Sequence, residues 1–274
     1  VTQIGRSSRR HNVAVPGVSG ARVSISWAAL SDKGYRRAVN EDSLIARSPI
    51  FAVADGMGGH TAGDFASAAV VTRLAEQLGS DYVGPDSINS ALRAAVEDMG
   101  RGVGQTDLGT GTTVTGIALT LAEGVPSWLV FNIGDSRVYQ LADGVLSQLT
   151  VDHSVVQELM DAGAITAAEA EVHPHSNVIT RAVGFNEDPI PDYWTIPMVA
   201  GARLLICSDG LTKELTEHGI RHFLGAGGTV LDAAGALMDA ALGNGGRDNV
   251  TVVVVDVLEA ADDVAATATG AHRR

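Results

Sequence analysis

The sequence predicts an α+β fold in which antiparallel sheets are covered by helices. Three observations carry this. Apolar, β-branched runs of strand length come in blocks instead of alternating with helical segments; several follow one another through tight turns such as Ala142-Asp143-Gly144; and long helical periodicities stand between the blocks. Short connections favour antiparallel neighbours, because a parallel pair needs a long crossover.

In chain order, residues 1–22 hold Arg6, Arg9, Arg10 and Arg22 with no acidic residue and read as a basic tail. Strands are expected at 23–30, 43–46 and 50–54, where branched and aromatic residues dominate. Apolar residues at helical spacing then cover 64–78, with Asp64 as the expected cap, and 87–100, capped by Asp86 or Ser87. A second block of strands is expected at 113–121, 128–133 and 138–141, followed by a helix at 155–162. Residues 166–192 contain Pro174, Pro189 and Pro191 with little periodicity, the pattern of an irregular surface insertion that can border a substrate site. A strand at 203–207, a helix at 230–242 and a strand at 250–257 complete the series, and residues 259–274 read as a second tail, rich in Ala and Thr. One domain, 23–258, remains.

Composition agrees with a single domain. A chain of 274 residues with 45% apolar content buries one large core, and no composition break divides it. The net charge of −13 argues against a nucleic-acid-binding surface and for local attraction of cations. The single cysteine, Cys207, excludes an intrachain disulfide and a cysteine-rich zinc site, and its place in an apolar run makes it a core residue. No stretch approaches the roughly 20 apolar residues that span a bilayer, and the start lacks the apolar segment of a secretory signal, so a cytoplasmic protein without a membrane anchor is expected.

The chemistry is concentrated where strands end. Phe51-Ala52-Val53-Ala54-Asp55-Gly56, Val130-Phe131-Asn132-Ile133-Gly134-Asp135 and Leu204-Leu205-Ile206-Cys207-Ser208-Asp209-Gly210 each break off at an aspartate, and Asp248 stands just before another strand-like run. One Asp-Gly after a strand is ordinary turn chemistry. Four aspartates at strand ends in one chain, three after a buried-strand run and two of them in Asp-Gly, suggest carboxylates gathered on a rigid scaffold at a wet edge. Aspartate oxygens and glycine-exposed carbonyls suit Mg²⁺ or Mn²⁺, and paired ions of that kind assist in-line phosphoryl displacement. Upstream, Arg37 precedes Glu41 and Asp42 by a few residues, so a guanidinium able to grip a phosphate lies beside two more acids.

Six ordered motifs make the pattern specific: Arg37 with Asn40-Glu41-Asp42, Asp55-Gly56-Met57-Gly58-Gly59-His60, Gly109-Thr110-Gly111-Thr112-Thr113, Ile133-Gly134-Asp135-Ser136-Arg137, Cys207-Ser208-Asp209-Gly210-Leu211 and Gly245-Gly246-Arg247-Asp248-Asn249-Val250-Thr251. Together they resemble the PPM family, the metal-dependent type 2C serine/threonine protein phosphatases, in its bacterial form. The resemblance implies a four-layer αββα sandwich, two central antiparallel sheets flanked by helices, with a dinuclear Mn²⁺ or Mg²⁺ site at one edge. It implies that Asp55 bridges both ions, that Gly56 offers its carbonyl to one, and that Asp209 and Asp248 complete the other's shell. Asp135 corresponds to a ligand of a third ion. Glu41 and Asp42 act through coordinated water, Arg37 holds the phosphate, and Asn249 orients a ligand. His60 is the candidate general acid, although in animal relatives the proposed acid directly follows the Asp-Gly pair, where Met57 stands here. The chain also departs from many relatives at Lys213, four residues after Asp209, where they place an aspartate; an ammonium there opposes a third cation unless Glu214 turns inward. His173 and His175 match the segment beside the flap rather than a zinc pair.

The implied activity is hydrolysis of phosphoserine and phosphothreonine on proteins by a water activated between the two ions, reversing serine/threonine kinase signalling. Expected partners are phosphorylated proteins, including a kinase, with no nucleic acid and no membrane, and the expected state is a monomer. The alternative is a weakly active or inactive phosphoprotein-binding regulatory module of the same fold, which Lys213 encourages and Asp55, Asp209 and Asp248 discourage. A two-metal nuclease would use similar acids, but duplex binding depends on neutralising several phosphates and the chain has no basic stripe.

Overall fold

The computed structural model describes residues 1–58, 62–102 and 110–260. Along the chain come β1 (Gln3–Gly5), β2 (Ser8–Ala14), β3 (Arg22–Asp32), β4 (Asp42–Arg47), β5 (Ile50–Met57), α1 (Ala62–Ala75), α2 (Pro85–Gly102), β6 (Gly111–Thr112), β7 (Val114–Ala122), β8 (Val125–Ile133), β9 (Arg137–Ala142) and β10 (Val145–Gln148). Then follow α3 (Val155–Asp161), α4 (Ala167–Glu171), β11 (Asp192–Pro197), β12 (Arg203–Cys207), α5 (Asp209–Thr212), α6 (Glu217–Gly225), α7 (Val230–Asn244) and β13 (Val250–Glu259).

The strands form two sheets, ordered β1-β4-β5-β7-β8-β11, with β6 on β5, and β10-β9-β12-β13-β3-β2. All pairs are antiparallel except β1 with β4. The central strands are apolar on both faces because both faces are covered, and the period of two sorts their side chains between layers. In β5, Phe51 and Val53 enter the core between the sheets, whereas Ile50, Ala52 and Ala54 meet Val70 and Leu74 of α1 and Ile88 and Leu92 of α2. In β13, Val253, Val255 and Val257 face the other sheet, whereas Val250, Val252 and Val254 face Leu237 and Ala241 of α7 and Ile220 and Leu224 of α6. The result is helix, sheet, sheet, helix. Trp27, Phe51 and Trp128 stitch the central layer edge to face, with ring centroids 5.1 and 6.2 Å apart. Each such ring, once buried, contributes roughly 1.5–3 kcal/mol.

Several expectations are corrected. Residues 1–22 are not a free tail: Gln3 pairs with Leu44 and Val13 with Val23, so β1 and β2 extend one sheet each. Val13, Val15 and Ala21 are buried in the central core. Asp64 and Asp86 lie inside the first turns of α1 and α2 rather than capping them. There their charge still favours the positive end of the helix, and Pro85 opens α2 with its preset backbone angle. The insertion at 166–192 holds α4, which Thr166 and Glu169 close with a capping box. Among the described residues no helix is long and apolar enough to cross a membrane.

Strand direction and register decide where the motifs go. β4 and β5 pair Asp42 with Asp55. Val53 lies opposite Thr115 and Val114 opposite Ile133, which brings the end of β5, the start of β7 and the end of β8 to one edge of the first sheet. In the second sheet Cys207 pairs with Val252 and Val250 with Asp32, so the end of β12, the start of β13 and the end of β3 share an edge. The segment 33–41 crosses from β3 to β4, and therefore from one sheet to the other, at this same edge.

Candidate functional site

Side chains of both sheets are tied together at that edge. Asp42 is fully buried, and its Oδ2 accepts hydrogen bonds from Thr251 Oγ1 at 2.6 Å and Ser208 Oγ at 2.9 Å. A strand of one sheet is thereby clamped to two elements of the other. Asp55 is fixed by its neighbour strand: its backbone N–H donates to Thr113 Oγ1 at 3.1 Å, and its carbonyl accepts from Thr113 N–H and Thr112 Oγ1, both at 2.9 Å. Thr113 Oγ1 also lies 2.8 Å from Ser136 Oγ, next to Asp135. The turn carrying Asp135 is held further by His153, whose backbone N–H donates to Gly134 O at 2.9 Å and whose Nδ1 accepts from Gly134 N–H at 3.1 Å.

Asp209 opens α5, and Asp248 ends the loop between α7 and β13. The Lys213 ammonium joins them, contacting Asp209 Oδ2 and Asp248 Oδ2, the latter at 3.0 Å. Arg37 grips Asp248 from the rim with two parallel contacts, Nε to Oδ1 at 2.8 Å and Nη2 to Oδ2 at 2.9 Å, and is 48% exposed. Its Nη1 lies 4.0 Å from Glu41 Oε2. The Asn249 backbone N–H donates to Asp248 Oδ1 at 2.8 Å, while its side chain organises the crossover: Oδ1 accepts from Glu41 N–H, and Nδ2 donates to Lys33 O and Val39 O, all at 2.9 Å.

Two glycines permit the close approach. A Cβ on Gly56 would lie 2.2 Å from Gly63 O and 2.6 Å from Glu41 O, so only glycine lets β5, α1 and the crossover meet. Gly34, at φ +72°, would place a Cβ 2.2 Å from Asp248 O.

The electrostatics are those of carboxylates forced together. Burial, then the charges of Asp209 and Asp248, drives the Asp42 carboxyl up to about 7 against the help of its two hydroxyl donors. Burial, then Asp209 and Asp152, brings Asp135 to about 7 as well. Asp55 is held well above the carboxylate range by burial and by Asp42, Asp209 and Asp135. Asp248 moves the other way: burial works to raise it, but Lys213 and Arg37 outweigh burial.

Oxygen donors are left waiting. Glu41 Oε1, Asp42 Oδ1 and Asp209 Oδ1 are buried and have no hydrogen-bond partner among the described residues. Buried orphan oxygens on acidic groups are costly unless a cation satisfies them, and an all-oxygen set suits a hard divalent ion. The residues fit such an ion in chemistry. In arrangement, no three acidic, His or Cys side chains among the described residues already enclose one point. Lys213 stands between Asp209 and Asp248, and Arg37 occupies the outer side of Asp248. Glu214 is buried, but its carboxylate is taken by Arg247, through Nε and the backbone N–H, both at 2.9 Å, and does not offset Lys213. His60, Gly59 and Gly109 lie outside the described residues. Cys207 is a buried core thiol whose pKa burial pushes up to about 12.

The family model for protein phosphatase 2C matches residues 35–244. The chain belongs to the protein phosphatase 2C family. The match takes in Arg37, Glu41, Asp42, Asp55, Asp135 and Asp209 and stops just short of Asp248. The serine/threonine protein phosphatase PstP of Mycobacterium tuberculosis is 43% identical over 252 residues, which are 87% of this chain and 46% of that protein. The chain thus spans about half the length of this curated relative. The serine/threonine phosphatase stp of Listeria monocytogenes is 34% identical over 239 residues, 82% of this chain and 93% of that protein. Among solved structures, Mycobacterium tuberculosis PstP/Ppp superposes with a TM-score of 0.77 at 38% identity, covering 86% of this chain and all of that one. The catalytic domain of PstP in complex with two manganese ions gives a TM-score of 0.73 at 38% identity, covering 86% of this chain and 99% of that one. The αββα sandwich is therefore the family's architecture, as the motifs implied.

Proposed function

We propose that this protein is a metal-dependent protein-serine/threonine phosphatase that reverses serine/threonine kinase signalling. The observation that carries the reading is the gathering of Glu41, Asp42, Asp55, Asp135, Asp209 and Asp248 at one edge of both sheets, with three buried oxygens that have no partner among the described residues. The PstP domain solved with two manganese ions supports a pair of hard divalent ions here, Mn²⁺ or, by the same oxygen chemistry, Mg²⁺. Asp55, Asp209, Asp248 and the Gly56 carbonyl would hold them, with Glu41 and Asp42 behind. When bound, such ions supply an activated water and screen the charge of the phosphate.

The chain's own residues do the positioning. Arg37 is exposed at the rim and already prefers a bidentate oxyanion, so it is suited to take the substrate phosphate. Asp42, locked to Ser208 and Thr251, keeps the two sheets in register beneath the site, and Asn249 sets the crossover that carries Arg37 and Glu41. Asp135 would serve a third ion, whose binding Lys213 opposes, so two ions are the expected number, and His60 is retained as the candidate general acid. The catalytic unit takes in residues 1–22 through β1 and β2 as well as 23–258. Its substrates are phosphorylated proteins, including a kinase, and it acts as a monomer in a reducing cytoplasm, in keeping with one buried cysteine.

A phosphothreonine peptide tests the reading. Turnover is expected with Mn²⁺ and is expected to vanish in excess chelator. Undiminished hydrolysis in EDTA rules the proposal out. The contact of Lys213 with Asp209 and Asp248 favours one second reading, a phosphoprotein-binding module with little turnover. Tight peptide binding without hydrolysis under any divalent ion would establish that instead.

A further inference from the structure

The site contains a cation of its own. Lys213 follows the four-residue helix α5, its N–H donates to Asp209 O at 2.8 Å, and its ammonium reaches back to the Asp209 carboxylate and across to Asp248. The side chain is 30% exposed and its backbone is pinned, because Arg247 Nη2 donates to Lys213 O at 3.0 Å. Arg247 in turn is neutralised by Glu214, so the ammonium belongs to the carboxylate edge alone. Six acidic side chains meet there, and among the described residues the only basic groups in contact with them are Lys213 and Arg37. Arg37 reaches in from solvent; Lys213 sits between two proposed ligands.

We propose that Lys213 is a tethered placeholder cation: it holds Asp209 and Asp248 together in the metal-free protein and is displaced from them when divalent metal enters. The inference rests on the metal-centre reading of the site. Two opposed effects follow from one charge. Without metal, the ammonium relieves the repulsion between Asp209 and Asp248 and so stabilises the assembled edge. With metal, it competes for the same oxygens and adds like-charge repulsion, so affinity for the ion is lower than the carboxylates alone would give. A site built this way stays formed at low metal and loads only when metal is plentiful.

Calorimetric Mn²⁺ titration of the full chain tests this, comparing wild type with Lys213→Gln and Lys213→Arg at fixed pH and ionic strength, alongside melting of the chelator-treated proteins. Lys213→Gln is expected to bind Mn²⁺ about tenfold tighter, about 1.4 kcal/mol, while melting lower without metal. Lys213→Arg, which keeps the charge, is expected to stay near wild type. Should metal-free Lys213→Gln fail to fold, amine labelling of the wild type read by mass spectrometry replaces it: modification of Lys213 should increase on addition of Mn²⁺. Equal Mn²⁺ affinity in wild type and Lys213→Gln, or labelling that Mn²⁺ leaves unchanged, overturns the placeholder role while leaving the metal centre intact. Absence of Mn²⁺ binding by both proteins overturns the two readings together.

Discussion

On the outer helical layer, Asp98 of α2 meets Arg73 of α1, with Nη2 2.8 Å from Oδ1, and Arg101, with Nη2 2.7 Å from the same oxygen. Hydrogen bonding from Arg73, then from Arg101, pushes the Asp98 carboxyl down to about 2. At the sheet edge, Asp42 and Asp135 are instead raised to about 7 by burial and by one another's neighbours. Similar division holds elsewhere: Asp152 has Arg137 at 2.6 Å, and Asp256 has Arg203 at 2.6 Å. Asp98, Asp152 and Asp256 each have an arginine partner. The carboxylates at the edge outnumber their cations, and the imbalance marks a place reserved for charge from outside.

The largest consequence concerns turnover. Asp209→Ala removes a buried unpartnered oxygen and one of the two carboxylates that Lys213 bridges. Hydrolysis of a phosphothreonine peptide at saturating Mn²⁺ should fall by about 10²–10³-fold, the scale on which a site loses charge stabilisation of its transition state. Asp98→Asn should leave that rate alone. A variant at position 209 with wild-type turnover would erase the distinction between the two groups.

The next consequence is smaller and concerns pH. A carboxyl whose folded pKa lies above its unfolded value of about 3.9 contributes stability that is complete below that value and is lost as pH rises through the folded pKa. For Asp135 the window runs from about 4 to about 7. Removing the charge with Asp135→Asn should therefore stabilise the metal-free protein, by nothing near pH 4 and by about 1–2 kcal/mol above pH 7, allowing for solvent screening at the edge. That is a few degrees in Tm for a chain of this size. Melting curves of chelator-treated wild type and variant across that range measure the difference directly. A difference that is flat with pH, or largest in acid, contradicts a repulsive cluster at position 135.

Much of the edge was legible because its signals are local. An apolar run that breaks off at an aspartate is written in a handful of adjacent residues, and three of the four aspartates singled out end such runs, two of them as Asp-Gly. The partners of those aspartates were not legible. Asp209 and Asp248 become neighbours only through the pairing of β12 with β13, and Asp42 meets Ser208 and Thr251 only because two sheets stack. Lys213 showed in the sequence as a departure, but its hold on Asp248 required the fold. β1 and β2 escaped for another reason: edge strands such as Ser8–Ala14, mostly polar and half solvated, carry no alternation of apolar residues. The helices α4 and α5, of five and four residues, span too few turns for periodicity to register, although Thr166 does carry a capping signal, as Thr216 does before α6.

The smallest effect tests the other half of the comparison. Asp98 has a folded pKa below its unfolded one, so its contribution is present above the ordinary carboxylate range and fades as pH falls toward 2. The sign is opposite to that of Asp135. Because Asp98 and Arg73 are both about a quarter exposed, water and salt screen the pair, and Asp98→Asn should cost at most about 1 kcal/mol at neutral pH. The loss should shrink in high salt and should be indifferent to Mn²⁺. Thermal melts of wild type and Asp98→Asn, with and without Mn²⁺ and at two ionic strengths, separate these dependences. If the cost of Asp98→Asn grew when metal was bound, the helical layer and the sheet edge would be one electrostatic unit, and the division between supporting and receiving carboxylates would fail.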